Sequence, residues 1–324
     1  MSKSRVARTL EALRGLLDPW LFIAVSASFI PGTIRHIAQT QGTLACLRTL
    51  ASPASFRAVW FGQFWNFAGP GIRETGGPRV LALLDGRTTR GNVVDAPTGP
   101  GVGGVVIEIG AGSGLWVDLY SKKHLYEDTS ATTTTSNGTE PSPEVRQRRF
   151  GGGKRSNTAR TEITHVFGVE PNISQHAALR RAVKNADLDG IYEIVPVGIE
   201  DLSSNQGNWD GKIEPGSVDC IVSVLCLCSI PDPEYNIREL YKLLRPGGRW
   251  YVYEHVKAEY NWFMRFYQGI VNVFWPYFAG GCNLRRSTEK TLREAGPWTS
   301  IDLAQPVVEP WFHSVPHIMG VLTK

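Results

Sequence analysis

The sequence predicts an α/β fold built on a doubly wound, mostly parallel sheet, and three stretches predict it. The apolar run 105–109 reads as a buried strand, and glycines follow it at 110, 112 and 114 before a helical stretch from Leu115. A second apolar run, 165–169, ends at an acid, Glu170. Further on, the helical stretch 231–244 stops at Leu244-Arg245-Pro246-Gly247-Gly248, and the chain turns into the apolar run 249–253. Short continuous apolar runs separated by helix-period stretches are what strands buried on both faces require.

In chain order, residues 1–19 set Lys3, Arg5, Arg8 and Arg14 among Val6, Leu10, Leu13, Leu16 and Leu17, an amphipathic pattern. Pro19 and Pro31 bracket an uncharged run, 20–30, too short to span a bilayer as a helix. It suits a helix lying on a membrane surface, or a helical cap packed over the site. Trp60, Phe61, Phe64 and Trp65 fall at helical spacing and predict a buried stripe. Phe67-Ala68-Gly69-Pro70-Gly71 is expected to break that helix, and 71–104 to form a loop with one short apolar segment, 80–84. The expected organisation is a helical cap over 1–70 and an α/β domain over 71–324. The α/β domain carries an insertion, 127–160, whose Thr, Ser, Gly and Arg content predicts a mobile segment. After it come strand 165–169, helix 172–186, strand 191–197, a turn at 198–202, a fourth strand through 218–225, and the helix and strand already named.

A chain of 324 residues can bury a large core. Its hydrophobic share of 42% and charged share of 20% are those of a folded globular protein. A net charge of +4 and no basic stripe argue against nucleic acid as a partner. Five cysteines without framework spacing suit a reducing compartment. Without a CxxC pair, no metal site is expected. Cys226 and Cys228 alternate on what reads as a strand, so their thiols are expected to share a face.

A strand, a glycine turn and a helix together bring backbone N–H groups close to a ligand, and a Cβ would block that approach. The spacing acid-x-G-x-G-x-G, from Glu108 to Gly114, resembles motif I of the class I S-adenosylmethionine (SAM) methyltransferases. That resemblance implies SAM as cofactor, with its methionine part held by Glu108, Gly110, Ala111, Gly112 and Gly114. Glu170, followed by Pro171, stands where doubly wound folds place an acid for the ribose. A carboxylate suits that role because it is acceptor-only and faces two hydroxyl donors. Ile199 and Glu200 occupy the turn that flanks adenine in that family. Val224 and Leu225, at the end of the fourth strand, border the methyl-transfer position.

The motifs GSVD, LCLCS, LRPGG, EHV, GCNL and PHI-x-G occur in that order after FAGP at 67–70. Together they resemble the methyltransferase-like thiol methyltransferase family (methyltransferase type 11 group) over most of 64–324. The resemblance implies a Rossmann-like, seven-stranded sheet beneath an N-terminal helical lid. It implies S-methylation of a small-molecule thiol acceptor. It places the protein on the cytoplasmic side of an intracellular membrane, endoplasmic reticulum or lipid droplet, or in the cytoplasm, as a monomer touching membrane through residues 1–30. The sequence departs from the family at 71–104, at 127–160 and at Pro31.

His255, just past the fifth strand, is the candidate base, and Cys228 a candidate reactive thiol. Cys226, Trp65, Asn283 and His317 are candidates to contact the acceptor. Two other functions stay open. One is N- or O-methylation of a peptide-derived or other secondary metabolite in a mycotoxin-type pathway. The other is a non-catalytic SAM-binding partner protein, against which the intact glycine motif, Glu170 and the aromatic lid count.

Overall fold

A computed structural model of the chain describes residues 5–125, 158–204 and 208–324. Four helices come first: α1 (Arg5–Ser28), α2 (Ile30–Gln41), α3 (Thr43–Ala51) and α4 (Pro53–Leu84). A small hairpin, β1 (Thr88–Thr89) and β2 (Asn92–Val93), leads to β3 (Gly104–Ile109). Then follow β4 (Ile163–Val169), α5 (Ile173–Asn185), β5 (Tyr192–Val195), β6 (Val218–Val224), α6 (Pro233–Leu243) and β7 (Leu244–His255). The chain closes with α7 (Trp262–Val271), α8 (Trp275–Phe278), α9 (Thr288–Arg293), β8 (Ser300–Ala304) and β9 (His317–Thr323).

Seven strands form one sheet in the order β5-β4-β3-β6-β7-β9-β8. The first five are mutually parallel, and β9 runs antiparallel to both its neighbours. The chain leaves β3 toward β4 and β5, then returns to the other side of β3 as β6. The strand order therefore reverses between β3 and β6, and a ligand crevice opens there beyond the strand ends. Alternate side chains of each strand feed two cores. Ile107, Ile221 and Trp250 pack on one face with α6, while Val106, Val222 and Tyr251 pack on the other with α5.

Two expectations change. FAGPG does not end a helix: α4 runs through Pro70 and Pro78 to Leu84, across the expected boundary at 70. Packing overrides the weak propensity. Arg73 of α4 donates to Asp118 at 2.8 Å, and Val80, Leu83 and Leu84 are buried in the core shared with α5, so tertiary contacts hold the helix through its prolines. Among the described residues after the glycine loop, up to 125, there is no long helix, only the 3-10 turns Val117–Tyr120 and Lys122–His124. Most of the insertion expected to be mobile, 127–157, lies outside the described residues. Its last three residues are fixed: Arg160 Nε bonds Asp85 Oδ1 at 2.6 Å in a buried pair, and Ala159 N donates to Asp85 O.

The uncharged run 20–30 is not bounded by its prolines. α1 continues through Pro19, and the helical stretch Arg5–Gln41 is long and apolar enough, by length and composition, to cross a membrane.

Candidate functional site

A cavity of about 890 Å³ lies over the carboxyl ends of the parallel strands. Its floor at one end is Ile109 to Gly112, Glu170, Pro171 and the turn carrying Ile199 and Glu200. At the other end stand Cys226, Cys228, His255, Cys282 and His317. Val224 and Leu225 lie between. The roof is helical: Pro19 and Phe22 from α1, Phe61, Trp65, Ile72 and Arg79 from α4. Rings line it in contact, with Phe61 stacked on Trp65 and Phe22 on Trp275.

The glycine loop is built for close approach. Gly110, Gly112 and Gly114 all have positive φ, at 72°, 56° and 89°. Gly110 N and Ala111 N both donate to Val169 O, which ties the loop to the end of β4. Glu170 closes the corner: one carboxylate oxygen accepts from Gly112 N and the other from Asn172 N, each at 2.8 Å. Burial pushes its pKa up, and the two backbone donors offset part of that.

Several predicted residues stand elsewhere. Glu108 does not reach the cavity. Strand alternation turns it toward the α5 face, where Tyr192 donates to its carboxylate and burial pushes its pKa up to about 8. Gly114 serves helix packing, because a Cβ there would sit on Ala182 of α5. Asn283 is a turn residue: its N donates to Cys228 O and its Oδ1 accepts from Arg285 N. Cys226 and Cys228 are not on a strand, since β6 ends at Val224, yet both line the cavity.

The loop that holds them rests on a residue the sequence did not single out as functional. Glu254 is fully buried, and its carboxylate accepts from Cys226 N and Leu227 N. This cradle keeps Leu225 in a left-handed conformation, φ 56°, a strained state that persists where surroundings over-determine it. Burial raises the pKa of Glu254 to about 7. Two other partners escaped notice because contact, not spacing, defines them. Glu309 accepts from His317, Nδ1 at 2.5 Å and backbone N at 3.0 Å. Cys282 places its thiol 3.6 Å from His255 Nδ1. Burial lowers the His317 pKa to about 4, so that imidazole is neutral at pH 7. The Cys228 thiol is pushed well above its ordinary value by its contact with Cys282 and by burial. A free Cys228 is therefore protonated at neutral pH, unlike an activated nucleophile.

A family model described as a methyltransferase domain matches residues 90–295, well over half of the chain. The chain belongs to this methyltransferase family. Among curated relatives, human thiol S-methyltransferase TMT1A is 37% identical over 115 residues, 35% of this chain and 46% of the relative. Human thiol S-methyltransferase TMT1B is 34% identical over 114 residues, with the same coverage. The match thus spans about half the length of these relatives. One similar solved structure, a geranyl diphosphate methyltransferase with GPP and sinefungin, has TM-score 0.44 and 14% identity, covering 78% of each chain.

The cofactor of this methyltransferase is SAM, and the lining fits that molecule. Space is open where a Cβ on Gly112 would be. Each Glu170 oxygen has one protein donor and lone pairs left for a hydroxyl. Glu170→Ala is expected to weaken SAM binding roughly tenfold to a hundredfold, because hydrogen bonds to a charged group contribute about 1.5–3 kcal/mol. Calorimetric titration measures this, and unchanged affinity would take Glu170 out of the site.

Proposed function

We propose that this methyltransferase transfers the SAM methyl group to the sulfur of a small alkyl thiol. The observation that carries the reading is the lining at the β6–β7 end, where aromatic rings surround three thiols and two imidazoles. Such a compartment accepts a short apolar chain ending in a soft nucleophile. The similarity to TMT1A and TMT1B, both thiol S-methyltransferases, points the same way.

Bound SAM supplies a methyl group already activated on a sulfonium. The protein's work is then alignment and dryness. Glu170 and the glycine loop fix one partner, the aromatic roof holds the other, and orientation of this kind is worth up to about 7–11 kcal/mol. Phe22, Phe61 and Trp65 exclude water from the crevice. An acceptor thiol must lose its proton to become nucleophilic. His255, the cross-strand neighbour of His317 with ring centroids 4.7 Å apart, is placed to receive it. The reading is tested by incubating full-length protein with SAM and matched alkyl thiols, amines and phenols, with products read by mass spectrometry. A methyl thioether in large excess is expected; equal or greater N- or O-methyl product contradicts it.

The same chain is proposed to sit on a membrane surface. Leu10, Leu13, Leu17 and Leu21 are exposed along one stripe of α1. Trp262, Phe266, Val273 and Tyr277 are exposed in and after α7. Trp20 of α1 donates to Tyr267 of α7 at 2.9 Å, so the two helices lie side by side. Neighbouring apolar faces of this kind suit the interfacial layer of a bilayer. Replacing the four leucines by glutamine is expected to abolish co-sedimentation with phospholipid vesicles and leave Tm unchanged. Undiminished sedimentation of the variant contradicts the surface assignment.

A further inference from the structure

We propose that Cys228, His255 and Cys282 form a zinc site whose open coordination position faces the acceptor end of the cavity. The three residues come from three segments: the loop after β6, the end of β7, and the loop after α8. No local motif announces such a set. The missing CxxC pair excludes only a zinc loop made from one stretch of chain, and the expectation of no metal does not extend to ligands gathered by the fold.

The distances are those of a zinc centre. Zinc holds thiolate sulfur at about 2.3 Å and imidazole nitrogen at about 2.0–2.1 Å in a tetrahedron. That geometry separates sulfur from nitrogen by about 3.6 Å and the two sulfurs by about 3.8 Å. Here Cys282 Sγ and Cys228 Sγ lie 3.6 and 3.9 Å from His255 Nδ1. All three ligand atoms are within 4.8 Å of one another. Two thiolates and one imidazole with a vacant fourth position is a donor set of catalytic zinc, and soft sulfur selects it over magnesium or calcium.

The set is held rigid before any ion arrives. Glu254 fixes the backbone of Cys226 and Leu227, and Arg286 Nη1 donates to Leu227 O at 2.8 Å. Asn283 N donates to Cys228 O at 2.9 Å, pinning one cysteine loop to the other. His255 is locked in the β7–β9 ladder opposite His317. All three ligands line the cavity, so the fourth position opens toward the acceptor and not toward bulk solvent. The nearby Glu309, His313 and His317 also approach one another. There Glu309 is already engaged by His317 through two hydrogen bonds, and no thiolate is present.

The use of the open position rests on the thiol reading; the metal site does not. With zinc on Nδ1, His255 no longer takes the proton: a thiol entering as fourth ligand gives it to the zinc-bound hydroxide it displaces, which leaves as water. Its sulfur lone pair forms the new S–CH3 bond as the sulfonium C–S bond breaks, and that electron pair stays on the sulfur of S-adenosylhomocysteine. The product thioether is neutral, a weaker ligand than a thiolate, and leaves.

The test uses reduced full-length protein. Zinc alone is expected to bind at one ion per chain and to protect Cys228 and Cys282 from iodoacetamide, read by peptide mass spectrometry. Cobalt(II) alone is expected to give a thiolate charge-transfer band. The C228S/C282S double variant is expected to lose the zinc and the band, and E309Q to keep both. No zinc on the reduced wild type, zinc retained by the double variant, or cysteines alkylated equally with and without zinc would each overturn the site. Full-rate thiol methylation by metal-free protein overturns its catalytic use and leaves the proposed activity standing. A zinc-loaded protein that methylates no thiol removes the thiol reading and leaves the metal site standing.

Discussion

Gly110→Ala is expected to lower SAM affinity by more than about a hundredfold, a loss of about 2.7 kcal/mol or more. Two costs combine. Gly110 has φ 72°, a left-handed conformation that charges an L-residue about 1–2 kcal/mol. Its new Cβ would also sit on Cys226 Sγ and 2.9 Å from Cys226 Cβ. Neither side can give way cheaply. Gly110 N is bonded to Val169 O, and the Cys226 loop is clamped by Glu254 and by Leu225 N donating to Tyr253 O. The clash is relieved only by moving the loop that faces the cofactor or the loop that faces the acceptor. Gly112→Ala is the informative companion. Its Cβ meets nothing closer than Gly110 O at 3.9 Å, so binding should weaken through the cavity while thermal stability falls by strain alone. Calorimetry on both variants decides it; Gly110→Ala binding SAM within threefold of wild type would contradict the placement of the loop.

Glu108→Gln is expected to stabilise the protein at pH 8 by about 2 kcal/mol and leave SAM affinity within twofold. Glu108 is 3% exposed, and burial raises its pKa from 4.5 to about 8. Because the folded state holds this proton more tightly than the unfolded state, stability contributed by the neutral form is complete below pH 4.5. It is lost as pH rises toward 8. At about 1.36 kcal/mol per pKa unit, the loss by pH 8 is about 4 kcal/mol. Glutamine stays neutral and can still accept from Tyr192, while its amide, lacking a partner, returns about 1–3 kcal/mol of that gain. Urea unfolding of both proteins at pH 5 and pH 8 measures the difference. A variant equally destabilised at both values would show that the carboxylate is needed charged.

Much of the fold was legible because it depends on local signals. The runs 105–109, 165–169 and 249–253 carry the apolar continuity of central strands, and each fell on β3, β4 or β7. Glu170 stands where the sequence placed it, at the end of β4 and against the glycine loop, because its position follows from the strand. Glu108 misled for a physical reason. The motif fixes its position in sequence, but strand alternation points its side chain at Tyr192 instead of the crevice. The course of α4 through two prolines was hidden because its support comes from Asp118 and from core residues distant in sequence. The Cys228, His255 and Cys282 grouping was hidden for the same reason, since no spacing rule joins the ends of two loops to the end of a strand.

The most direct measurement of the central claim follows a time course with SAM carrying a deuterated methyl group and one small alkyl thiol. The predicted result is a thioether bearing the deuterated methyl, formed in equal amount with S-adenosylhomocysteine and absent with Gly110→Ala. Tight SAM binding with no labelled thioether, across alkyl thiols that fit the cavity, would contradict it.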